Sequence, residues 1–179
     1  MTEHRGEETN FDRMVAELQQ QIIEQERALY SAKVIEEAHN ASNLGRMAEP
    51  DAYGIVRGWC GDTMEVYLRL NGARIEEATF MTDGCGPSVA CGNMLTTMAR
   101  GMSLEEAGEI RPEDLIAALD GLPEESVHCA ELAVGTLRHA LERYLGGQPR
   151  GGRDAAPPTG RGDRSTGEAR EVVEMSGAT

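Results

Sequence analysis

Residues 63–82 read TMEVYLRLNGARIEEATFMT, and this stretch constrains the fold more than any other. Met64, Val66, Leu68 and Leu70 alternate with Glu65, Tyr67 and Arg69, the period of a strand with one face buried. Asn71-Gly72 is a strong signal for a two-residue hairpin turn, and ARIEEATFMT returns as the partner strand. Upstream, YGIVRGWC reads as a further strand, so the spacing predicts a three-stranded antiparallel meander from about 53 to 82, with Cys60 at a strand end. Hydrophobic residues make up 40% of the chain but aromatics only 4%, so the core must rest on Leu, Val, Ile, Ala and Met.

Beyond the meander the period changes to helical. Pro87 suits a first turn, where its missing N–H costs nothing, and the helix body runs from Val89 to Ala99 before Gly101 stops it. Ser103 with Glu106 forms a capping box, and Pro112-Glu113-Asp114 opens another short helix. A last helix starts near Val127 and carries Leu132, Leu137, Leu141 and Leu145 until Gly146-Gly147 ends it. The expected fold is therefore α+β, a small three-stranded antiparallel sheet packed with helices.

Two appendages flank this domain of residues 30–146. Residues 1–29 open with a polar stretch and continue into an amphipathic helix, with Val15, Leu18, Ile22 and Leu29 at three- and four-residue steps in a run that extends to about residue 40. Packing on its own domain is the plainer expectation for this helix. A partner-docking or self-associating helix, and with it a homo-oligomer, is the alternative. Residues 147–179 are rich in Gly, Pro, Arg and Ser with few large apolar side chains, and are expected to be disordered. The net charge of −14 argues against nucleic acid and fits a basic protein partner. Neither a signal peptide nor a membrane-spanning run is visible, and the acidic N-terminus is unlike a transit peptide, so a cytoplasmic, reducing setting is expected. There cysteines serve more often as metal ligands or reactive thiols than as disulfides.

Three of the four cysteines fall at comparable positions: Cys60 after a strand, Cys85 just before a helix, Cys129 in the first turn of a helix. A helix N-terminus favours the thiolate, which is the form that binds metal and attacks sulfur. Gly61, Gly84 and Gly86 let backbone approach the sulfurs, Asp62 follows Cys60 by two residues, and His128 precedes Cys129. Paired C-x-x-C knuckles of a structural zinc site are absent. Three sulfurs and an oxygen can hold zinc or an iron–sulfur cluster with one weak, exchangeable ligand. Scattered cysteines can equally be small buried hydrophobes.

In combination, YSAKVIEEAHNASNLG, WCGDTMEVYLRLN, ATFMTDGCGPSVACGNMLTTMARGMSLEEA and VHCAELAVGTLRHAL, in this order from about Tyr30 to Leu145, resemble the IscU/NifU N-terminal family of iron–sulfur cluster assembly scaffolds. The resemblance implies that Cys60, Cys85 and Cys129 bind the cluster and that Asp62 is the oxygen ligand that keeps it labile. His128 matches an alternative ligand and Cys129 the usual persulfide acceptor. It implies a [2Fe–2S] cluster built from iron and from sulfur of a cysteine desulfurase, a ferredoxin-type electron donor, recipient apo-proteins, and zinc at the same ligands when iron is absent. Such a protein is a scaffold and carrier rather than an enzyme. The LPEES stretch at 122–126 departs from the family's L-P-P-V-K segment, which weakens the case for a dedicated Hsp70 chaperone. Cys91, six residues after Cys85, is expected to be a buried structural thiol, with a spare sulfur-accepting thiol as the alternative. Two rivals to the scaffold remain at this point: a zinc-bound sulfurtransferase that relays sulfur to or from a desulfurase, and a plain zinc-stabilised interaction module.

Overall fold

The hairpin forms where the alternation places it. In the computed structural model, which describes residues 9–147 and 173–175, strands β1 (Ala52–Arg57), β2 (Thr63–Asn71) and β3 (Arg74–Thr82) make an antiparallel meander. Met64, Val66 and Leu68 are fully buried on one face. The opposite face is not all solvent. Tyr67 is buried there against Tyr53, with ring centroids 5.1 Å apart, and both hydroxyls donate to Glu65. Burial would raise the Glu65 carboxyl, but hydrogen bonds from Tyr67, Tyr53 and Arg46 outweigh it and hold the group below its ordinary value. Asn71 pairs with Arg74, so the two loop residues are Gly72 and Ala73, one position later than the Asn-Gly signal suggests. Gly72 takes the left-handed conformation (φ +63°) that the tight turn needs. Leu70 pairs with Ile75 but Arg69 with Glu77, which leaves Glu76 as a bulge.

Helices cover the face that Met64, Val66 and Leu68 bury. Helix α3 (Gly86–Ala99) lies over β3, and α6 (Val127–Leu145) over β1, with short helices α4 (Leu104–Gly108) and α5 (Pro112–Ala118) closing the end of the layer. Ser103 and Glu106 cap α4 reciprocally, as their spacing predicts. The core is aliphatic around a single large aromatic, Phe80, with Leu68, Ile75, Leu95, Leu115, Leu132 and Leu137 among its fully buried members. Backbone meets backbone between β1 and α6. A Cβ placed on Gly54 would stand 2.6 Å from both the Ala140 nitrogen and the Thr136 carbonyl oxygen, so strand and helix backbones meet with no side chain between them. His139 Nδ1, 3.0 Å from the Ile55 carbonyl oxygen, ties the same two elements.

Four expectations need correction. The N-terminal run is two helices, α1 (Asn10–Leu29) and α2 (Ala32–His39), because Tyr30 is extended and Ser31 caps α2 through the Val34 amide. The Ser31 hydroxyl also donates to the Leu119 carbonyl (2.6 Å), anchoring α2 to the end of α5. Second, α1 does not pack into its own domain: none of its residues is buried, and Phe11, Met14, Leu18, Ile22 and Leu29 are at least half exposed. Third, β1 ends at Arg57, and Gly58–Cys60 belong to a turn. Fourth, the sheet has four strands, in the order β3-β2-β1-β4, because Val173–Glu174 (β4) pairs in parallel with Val56 and Arg57. Part of the segment expected to be disordered thus has a seat on the open edge of β1. The rest of that expectation, residues 148–172 and 176–179, lies outside the described residues.

Gly54→Ala forces β1 and α6 apart against backbone that cannot yield as a side chain would. It should destabilise the fold by about 3 kcal/mol, the upper range for overpacking, read as a lowered urea midpoint with unchanged slope. A change below about 0.5 kcal/mol, the size typical of a surface substitution, would contradict the seam.

Candidate metal centre

Three chain segments meet at one end of the β1–α6 seam. The first is the turn from Gly58 to Asp62. Gly58 N–H donates to the Asp62 carbonyl (2.8 Å) and Gly61 N–H to the Gly58 carbonyl (3.0 Å), while Arg57 Nε reaches the Gly61 carbonyl at 3.3 Å. Gly61 has φ +95°, a conformation that a side chain there would strain. This tight loop pushes Trp59 and Cys60 outward, and both are exposed.

The second segment is the start of α3. Cys85 is its N-cap residue, extended and exposed, and Pro87 sits in the first turn. A Cβ on Gly84 would fall 2.6 Å from Asp62 Oδ2 and 2.7 Å from Ser88, so glycine here lets the Asp62 carboxylate lie against the loop. The third segment is the first turn of α6, entered through a single 3-10 turn at Glu124–Ser126. It holds half-buried His128 and fully buried Cys129. The His128 ring packs on Trp59 with centroids 4.9 Å apart, which links the Cys60 turn to α6.

Ser88 joins the three segments, and the sequence reasoning missed it. Its buried hydroxyl donates to Asp62 Oδ2 at 3.3 Å, lies 3.4 Å from Cys129 Sγ, and is 3.7 Å from Cys85 Sγ. The signal was present in the spacing: Ser88 follows Cys85 by three residues at a helix start, so both side chains share one face. Trp59, the chain's single tryptophan, was passed over as well, although it directly precedes Cys60.

The Cys129 thiol is pushed well above its ordinary value. Burial is the main cause, Cys85 and Cys60 add to it, and the Ser88 hydroxyl opposes it. The expectation that the helix N-terminus holds this sulfur as thiolate is corrected: removal from water outweighs the helix field. Cys91 is sealed in the core among α3 side chains, and burial, then Cys129 and Cys85, push its thiol up still further. That placement matches the buried structural thiol. Cys129 Sγ also lies 3.6 Å from His128 Nε2. Among the described residues, no three His, Cys, Asp or Glu side chains close on one point as a metal cage. Instead the Ser88 hydroxyl occupies the middle, touching Asp62, Cys85 and Cys129, while Cys60, exposed on its turn, lies near enough to act on the Cys129 thiol. The donor set itself, soft sulfurs with one carboxylate and one imidazole, suits zinc or iron–sulfur chemistry. No helix among the described residues is long and apolar enough to cross a membrane.

Residues 29–150 match the family model of the NifU-like N-terminal domain. The chain is 38% identical over 118 residues to iron–sulfur cluster assembly scaffold protein IscU 1 of Archaeoglobus fulgidus, covering 65% of this chain and 77% of that protein. It is 37% identical over 121 residues to the IscU scaffold protein of Haemophilus influenzae, covering 64% of this chain and 94% of the relative. Among solved structures, the N-terminal part of a NifU-like protein from Brucella abortus superposes with a TM-score of 0.53 at 18% identity, covering 65% of this chain and 94% of that one. A putative scaffold protein of the SUF system from Fervidobacterium islandicum gives 0.52 at 20% identity, covering 63% and 96%. At these identities the two structures show the shared fold.

The thiols should differ in reactivity. With iodoacetamide on the native protein, mass spectrometry should find Cys60 and Cys85 alkylated first and Cys91 only after unfolding. Cys129 should react more than about tenfold slower than Cys60, since each unit of raised pKa removes a factor of ten in thiolate. Equal rates for Cys60 and Cys129 would contradict the buried position of Cys129.

Proposed function

Because the chain belongs to the NifU-like N-terminal domain family, we propose that it is a scaffold on which an iron–sulfur cluster is assembled and from which the cluster passes to apo-proteins. The observation that carries this reading is the convergence of Asp62, Cys85 and Cys129 on the Ser88 hydroxyl beside the exposed Cys60 turn. Iron and sulfur are its cargo. Cys60, Asp62, Cys85 and Cys129 supply the ligands, with His128 as an alternative, and the cluster is [2Fe–2S]. Two irons bridged by two sulfides need four terminal ligands, the number that three thiolates and one carboxylate provide.

Loading begins at sulfur. A cysteine desulfurase offers a persulfide; the Cys129 thiolate attacks its outer sulfur, one S–S bond breaks as another forms, and the desulfurase thiolate leaves. Each sulfur carried in this way needs two electrons to become sulfide, and a ferredoxin-type donor supplies them. Cys129 is buried in the cluster-free protein, so the Cys60 turn and the Trp59–His128 contact must open before attack, and the Ser88 hydroxyl must yield its central position. Asp62 is the weak link in the ligand set. A carboxylate oxygen holds iron less firmly than a thiolate does, so release to a recipient starts there. Zinc fits the same donors in the cluster-free protein, and a zinc-bound sulfur relay is the reading the test must exclude.

Anaerobic incubation with ferrous iron, cysteine, a desulfurase and reductant should develop [2Fe–2S] absorption bands that disappear when an apo-ferredoxin is added. Sulfur uptake without a chromophore would instead support the relay. Asp62→Ala should give a cluster that persists several-fold longer and transfers more slowly. Cys85→Ser should give none, and Cys91→Ser should assemble normally. Faster loss from Asp62→Ala than from the parent would remove Asp62 from the role of labile ligand.

A further inference from the structure

The outer edge of β1 ends at Arg57, directly before the turn that carries Cys60, and a segment remote in sequence occupies it. Val173 pairs with Val56 and Glu174 with Arg57, and Met175 N–H donates to the Arg57 carbonyl at 3.1 Å. Met175 is partly buried against the core, its sulfur 3.6 Å from where a Cβ on Gly135 of α6 would lie. Met175 lies over Gly135 beside the strand edge, at ordinary contact distance from the place a Cβ would take. Val173 and Met175 share one face of the segment, but Val173, like Glu174, is exposed, and Met175 alone is seated.

We propose that the β1 edge and the neighbouring Gly135 surface of α6 form a docking site for an extended peptide, and that the chain's own Val173–Met175 is its resident occupant. The site selects by strand addition: backbone hydrogen bonds give the attachment, and side chains at alternate positions give the choice. The partner that fits is a protein segment in extended conformation with methionine or another unbranched apolar residue at the position that Met175 takes.

The occupant is built to be displaced. Only two residues pair, the pairing is parallel, and one side chain is seated. It belongs to the same chain, so its pairing is intramolecular and needs no second molecule. Displacement would be felt at the candidate metal centre without any direct contact. Arg57, whose carbonyl accepts from Met175, also supports the Cys60 turn through its side chain on Gly61. This inference concerns the strand edge and holds whether the thiols build a cluster or relay sulfur.

The test uses the full chain and its variant Met175→Asp, with a fluorescein-labelled peptide of residues 170–176 as the probe. Hydrogen exchange at Val56 and Arg57, the β1 residues that pair with the segment, should be at least tenfold faster in Met175→Asp than in the parent. By anisotropy the peptide should bind Met175→Asp at least tenfold more tightly than the parent, whose edge is filled. Adding Gly135→Leu to Met175→Asp should remove that binding, since the leucine takes the space in which the Met175 side chain of the peptide would pack. Unchanged β1 exchange, or equal peptide binding to parent and variant, would overturn the proposal. So would a parent dimer that Met175→Asp dissolves, because the segment would then dock on a second copy.

Discussion

The site depends on α6 lying directly on β1 at Gly54. Strand and helix backbones approach there with room for no side chain at all. That contact sets the depth at which the first turn of α6 reaches the Cys60 turn, and so it brings Cys129 and His128 beside Asp62, Trp59 and Ser88. A larger gap would leave the same residues present in sequence order and apart in space.

Sheet edges tell a related story. A four-stranded sheet has two edges, and an unpaired edge invites association with other chains. On the β3 side the chain covers its own edge: Gly45 N–H donates to the Phe80 carbonyl and Phe80 N–H to the Asn43 carbonyl. Asn43 is in turn held in the core by Asn93, Thr96 and Thr97, so that cover is fixed. On the β1 side the cover is two residues long and comes from the far end of the chain. The edge with the shorter cover is the one that leads into the Cys60 turn.

Much of this was legible in the sequence. The period of residues 63–82 specified the hairpin, because one-sided burial leaves a strand no other register. The capping box at Ser103 and the position of Pro87 located helix starts for reasons confined to a few neighbouring residues. Cys60, Asp62, Cys85, His128 and Cys129 were nameable as a set from local motifs and from a resemblance. What escaped was non-local. Ser88 is central only because α6 and the Cys60 turn arrive from elsewhere, and Val173 joins the sheet only because β1 has a vacant edge. The thiolate expectation for Cys129 failed for the same reason: helix position is local, whereas burial is set by the whole core.

The central claim is that three thiolates and one carboxylate form a single ligand set for two irons. Mössbauer spectroscopy of the chain loaded with ⁵⁷Fe tests it most directly. The account predicts two ferric doublets of equal area, one from an iron with all-sulfur coordination and one from an iron with three sulfurs and an oxygen. In Asp62→Cys the two should converge. A single symmetric doublet in the parent, which would require a fourth thiolate such as Cys91, would contradict it.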